Sequence, residues 1–148
     1  MKAKMKESRK PVSSTSHTDI TLDELGNIQP GLARLMAEIS DRYWILYYAA
    51  KEGNWKLAAL QSSEIIKAFR IGEITRPKYT EHLEAYINGP MAKIDQAISN
   101  ENWETFQSAY EIATKAANGY HVTWNHEEIV WQLPDQPPKH LNLKPKNT

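Results

Sequence analysis

A chain of 148 residues makes one ordinary domain, long enough to bury a core without covalent staples, and it contains no cysteine. That excludes disulfides, thiolate metal sites, iron–sulfur clusters, a cysteine nucleophile and thioether-linked haem. Formal charge sums to zero but is uneven: Lys2, Lys4, Lys6, Arg9 and Lys10 face only Glu7 at the start, Lys139, Lys144 and Lys146 close the chain, and the middle is acidic.

Residues 1–27 are polar and lack periodicity, and are expected to form a disordered basic arm. Such an arm can touch nucleic acid or anionic lipid. The plainer reading, a solvated tail, is preferred, and no nucleic-acid partner is assigned. The stretch from Lys10 to Asp19 is polar where a secretory signal would be apolar. No run approaches the roughly 18 apolar residues of a transmembrane span. With Met1 as the native start, the expected location is cytoplasmic.

Residues 28–133 read as an antiparallel up-down-up-down four-helix bundle, and residues 134–148 as an extended Pro-rich tail. The first helix begins near Pro30 and places Leu32, Leu35, Met36, Ile39, Tyr43, Leu46 and Ala50 on one face before Gly53 stops it. Asn54 is suited to cap the second, whose inward face reads Trp55, Ala58, Ala59, Ser62, Ile65, Ile66 and Phe69. The third carries Leu83, Ile87, Met91, Ile94 and Ile98, with Gly89-Pro90 inside it, where a kink is expected. The fourth carries Trp103, Phe106, Tyr110, Ala113, Ala117, Tyr120 and Trp124. Gly53-Asn54-Trp55 returns 48 residues later as Glu101-Asn102-Trp103, which suggests two similar helical hairpins.

The first helix has one surplus. Tyr43, Trp44, Ile45, Leu46, Tyr47 and Tyr48 are apolar or aromatic all round, too wide for one core stripe. Either the C-terminal segment or a second copy of the chain must cover it. A homodimer through Tyr43, Trp44, Tyr47 and Tyr48 is therefore expected as one solution.

The closing third reads Asn102-Trp103-Glu104, then Lys115-Ala116-Ala117-Asn118-Gly119-Tyr120-His121, then His126, Ile129 and Leu133-Pro134-Asp135-Gln136-Pro137-Pro138. With the segments Arg42–Lys51, Gly53–Trp55 and Glu73–Pro77, this resembles bacterial c-type cytochromes of the cytochrome c-prime-like four-helix-bundle kind, over roughly residues 30–138. In that family the fourth helix ends in Cys-x-x-Cys-His. The resemblance puts Ala117 and Tyr120 at the two cysteine positions and His121 at the axial-ligand position. Covalent haem is thereby ruled out, and a haem-less relative acting by partner binding or self-association is the first expectation. The alternative is non-covalent haem or another small hydrophobic ligand, held by His121 with Ala117, Tyr120, Trp124 and His126 around it.

A void of haem size is costly, at about 24 cal/mol per Å³ in one measured core series. The vestigial pocket is thus expected to be packed or narrowed, with Tyr120 supplying the bulk. His121 and His126 would project about 140° apart on a continuous helix, at ~100° per residue. They can meet only if the helix ends between them, as Gly119 and Asn125 allow, and no metal site is assigned. His17, His82 and His140 receive no role. No Glu-x-x-His, His-Glu-x-x-His, phosphate loop or nucleophile elbow occurs. Glu127-Glu128 and Glu81/Glu84 read as solvated surface acids, no catalytic residue is assigned, and the chain is not read as an enzyme.

Overall fold

The computed structural model describes residues 11–147, and residues 1–10 of the expected arm lie outside that range. The described chain is mostly helical, with one small two-stranded sheet. Strand β1 (Pro11–Ser14) pairs antiparallel with β2 (Asp19–Thr21), placing Ser13 opposite Ile20 and Ser14 opposite Asp19. A short helix α1 (Leu22–Asn27) follows. Its start is a reciprocal cap: Glu24 N–H donates to Thr21 Oγ1 at 3.2 Å, and Thr21 N–H donates to the Glu24 carboxylate at 2.8 Å. Local hydrogen bonds hold this segment, not the apolar alternation that sequence reading looks for.

Helix α2 (Leu32–Lys51) buries Leu35, Ile39, Tyr43, Leu46 and Ala50, the spacing expected of it. Helix α3 (Trp55–Thr75) buries Ala58, Ser62, Ile65 and Phe69, whereas Ala59, expected on the inward face, is exposed. After a single 3-10 turn (Pro77–Tyr79), α4 (Thr80–Tyr86), a π-helical turn (Ile87–Met91) and α5 (Ala92–Ser99) follow without a break. The π turn surrounds Gly89-Pro90, where the sequence calls for a kink: Pro90 has no N–H, and widening by one residue accommodates its ring. Helix α6 (Trp103–Thr123) buries Phe106, Ala109, Tyr110, Ala113 and Ala117. Helix α2 packs on α3 and α6, and α5 packs on the same two helices.

The internal echo is one turn used twice. At the first copy, Asn54 N–H donates to Ala49 O at 2.8 Å and Gly53 N–H to Ala50 O at 2.9 Å. At the second, Asn102 N–H reaches Ala97 O at 3.1 Å and Glu101 N–H reaches Ile98 O at 3.0 Å. Both are Schellman closures with the pivotal residue left-handed: Gly53 at φ 74° and Glu101 at φ 50°. Each asparagine then caps the next helix, Oδ1 accepting from Leu57 N–H at 3.1 Å and from Thr105 N–H at 2.9 Å.

The aromatic surplus of α2 is covered within the chain. Tyr43 and Tyr110 stack at 4.1 Å between ring centroids, each hydroxyl donating to the other's carbonyl, at 2.9 and 2.8 Å. Tyr47 lies 5.3 Å from Trp103 and 5.0 Å from Tyr110. The C-terminal segment covers the rest: Trp44 Nε1–H donates to Gln136 O at 2.9 Å, Tyr48 OH to Pro134 O at 2.6 Å, and Asn54 Nδ2 to Leu143 O at 3.1 Å. Tyr43, Tyr47 and Tyr48 are each at most 7% exposed. Of the two covers considered above, the chain's own end is the one in place.

Candidate functional site

Helix α6 ends in another Schellman closure. His126 N–H donates to His121 O at 2.8 Å, Asn125 N–H to Val122 O at 3.1 Å, and Asn125 is left-handed at φ 58°. Asparagine is one of the few residues besides glycine that visit that region, because its short polar side chain can hydrogen-bond locally. The reversal turns the chain back along α6 as an irregular strap, residues 126–133.

The side-chain amide of Asn118 fixes the strap as a strand partner would: its Nδ2 donates to Trp131 O at 3.0 Å, and its Oδ1 accepts from Trp131 N–H at 2.7 Å. One turn on, His121 Nδ1 lies 2.9 Å from Ile129 O. A carbonyl can only accept, so Nδ1 carries the proton and neutral His121 keeps its lone pair on Nε2.

Between the strap, α6, the start of α2 and the α3–α4 turn lies a cleft of about 520 Å³, open to solvent on one side. Its α6 wall is Ala117, Tyr120, His121 and Trp124, residues that α-helical spacing puts on one face. The strap contributes His126, Ile129 and Trp131. Thus all five residues singled out in the sequence line one cavity, and the end of α6 after Thr123 brings His121 and His126 to the same space.

The space is not packed solid, as one form of the expectation had it. Tyr120 does not plug the space; its ring lies against His82 and Tyr86, at 5.0 and 6.3 Å, as part of the wall. Because the cleft communicates with water, the penalty for a sealed empty void does not apply.

The far wall was not foreseen. Leu32 and Met36 of α2, Arg76 and Tyr79 of the turn, and His82 and Tyr86 of α4 complete it. His82, which received no role above, accepts the Trp124 indole N–H on Nδ1 at 2.8 Å, so its proton sits on Nε2. His121 and His82 are therefore held in opposite tautomers. His126 is exposed, its Nδ1 3.0 Å from Glu128 Oε1, which holds the Glu128 carboxyl below its usual range. Among the described residues no three His, Asp or Glu side chains gather as a metal site, and no helix is long and apolar enough to cross a membrane.

The chain matches no family model, no curated protein and no solved structure.

A volume of 520 Å³ lies inside the range of about 300–1,000 Å³ in which small-molecule sites fall. The walls are mainly aromatic and aliphatic, with a few polar groups of defined donor or acceptor sense. A flat apolar molecule can lie against such walls while a single hydrogen bond or coordinate bond sets its orientation.

Proposed function

We propose that the chain is a non-catalytic binding protein whose cleft takes a small, flat, hydrophobic ligand oriented by His121. In this reading the helices form an up-down-up-down bundle, a haem-attachment-deficient relative of the c-type cytochromes it resembles. Two short Schellman turns and the packing of α2 and α5 on a shared pair of neighbours favour the bundle.

One observation carries the ligand reading. The five residues singled out in the sequence meet in a solvent-open cleft, and the hydrogen bond to Ile129 leaves the Nε2 lone pair of His121 free. Such a bond is the usual second-sphere support of a metal-ligating imidazole. Haem bound without a covalent tether fits that donor set and would supply a redox-active or gas-binding iron. Action through self-association draws less support, because the aromatic residues invoked for it, Tyr43, Tyr47 and Tyr48, are buried in the chain's own core.

Haem titration tests the reading. One equivalent should produce a sharp Soret shift in the wild type and lose it in His121→Ala. If neither haem nor an apolar fluorescent dye occupies the cleft, the ligand reading is wrong. If the dye enters but haem gives no shift, the iron-binding role of His121 is wrong.

A further inference from the structure

The cleft is apolar along its walls but one-sided in charge. Among its lining residues are Arg76 and Lys78 and no Asp or Glu. Both cations are exposed, and neither forms an ion pair among the described residues. The Arg76 guanidinium donates through Nη1 to the Thr75 carbonyl at 2.7 Å, and its other donors meet no acceptor among the described residues. Lys78 Nζ rests 4.9 Å from the centroid of the Tyr79 ring, on the same turn.

Arg76 is also placed, not merely near. A β-carbon added at Gly31 would come within 2.7 Å of its Nη2, so the guanidinium lies close against the Gly31 backbone. Thr75 Oγ1 donates to Pro30 O at 2.8 Å and ties this turn to the start of α2. Among the described residues the one acid tied to a lining side chain by a short contact is Glu128, which is taken up by His126. His82 adds a neutral donor, its Nε2–H.

We infer that the cleft's ligand is an amphipathic anion: a flat apolar ring system against Tyr86, Tyr120 and Trp124, with an acidic group at the mouth on Arg76 and Lys78. This rests on the ligand-binding reading above and narrows it. Apolar surface supplies most of the affinity, and the cations choose between ligands of similar shape, since exposed ion pairs contribute little each and are screened by salt.

Two naphthalene dyes of like shape make the test: 8-anilinonaphthalene-1-sulfonate, which is anionic, and N-phenyl-1-naphthylamine, which is neutral. Their affinities are read by fluorescence on wild type, on Arg76→Gln/Lys78→Gln and on Ala33→Trp. All three positions are exposed, so the variants should fold, and Ala33 lines the mouth where a larger side chain obstructs entry. The expected result is that Ala33→Trp weakens both dyes, while the double variant lowers the sulfonate-to-neutral affinity ratio about fivefold or more. A ratio unmoved by the double variant, with both dyes still blocked by Ala33→Trp, overturns the anion proposal and leaves the apolar site standing. Dye binding indifferent to Ala33→Trp, or absent altogether, overturns both.

Discussion

Asn118 shows how much one side chain can fix. A carboxamide is a donor and an acceptor a few ångströms apart, the same pairing a peptide unit offers, and Trp131 receives both bonds. Removing it leaves the Trp131 N–H and C=O to find water. At about 1 kcal/mol for each lost bond, Asn118→Ala should lower stability by about 1–2 kcal/mol in urea unfolding and speed hydrogen exchange at the Trp131 amide. If that amide exchanges at the wild-type rate, Asn118 is not what holds the strap. The histidines make a second point at this scale. His121 and His82 have the same chemistry, yet Ile129 O and the Trp124 indole force them into opposite tautomers. Nothing in the sequence signals that, because both partners are remote along the chain.

Among the elements, the repeated turn invites a direct comparison. Its two copies differ at the left-handed position, glycine at 53 and glutamate at 101. A non-glycine residue there is crowded by about 1–2 kcal/mol, while glycine costs about 0.5–1 kcal/mol of unfolded-state entropy. Glu101→Gly should therefore stabilise the protein by roughly 0.5 kcal/mol, seen as a raised urea midpoint. A lower midpoint would mean that the Glu101 side chain contributes something the backbone argument misses. The long helices were readable because their apolar faces recur every three to four residues, and α3 and α6 because asparagines cap them. The irregularity at Gly89-Pro90 was readable too, though as a kink rather than as the π turn that keeps Ile87 and Met91 both buried. The hairpin before α1 was not, since polar residues and local caps hold it. Nor was the strap, whose place depends on a left-handed Asn125 and on Asn118. For the cleft, sequence supplied the α6 face and His126. It missed Arg76, Tyr79 and His82, which reach the site only through the tertiary packing of the α3–α4 turn.

At the scale of the whole molecule, the tyrosines decide the response to alkali. Burial pushes the phenols of Tyr43, Tyr86 and Tyr110 well above their ordinary range, and neighbouring tyrosines add to the effect. In the folded protein these groups keep their protons where the unfolded chain, with phenols near pH ~10, has lost them. The native state then holds more protons, so stability is level at neutral pH and falls once the pH climbs past about 10. Urea midpoints should be flat up to about pH 9 and drop steeply by about pH 11, and Tyr86→Phe should soften the drop. A midpoint that stays level across that interval would remove the tyrosine explanation. The same core explains why the C-terminal segment matters to the whole. It closes over Trp44 and Tyr48 and seats Leu143 at 5% exposure, so the chain's last turns complete the face that α2 begins.

The Asn118–Trp131 clamp also gives the protein a chemical age. Asn118 is followed by Gly119, and asparagine is among the residues that heat degrades. An unhindered neighbour lets the next backbone nitrogen attack the side-chain amide, expelling ammonia and closing a cyclic imide that water reopens to a carboxylate. Inside α6 that nitrogen is committed to the helix, so the folded chain guards its own asparagine. Each excursion to the unfolded state lifts the guard. Once the amide has become a carboxylate, the donor facing the Trp131 carbonyl is gone and a negative oxygen stands in its place. A molecule that has been denatured for long would thus refold with its strap unlatched.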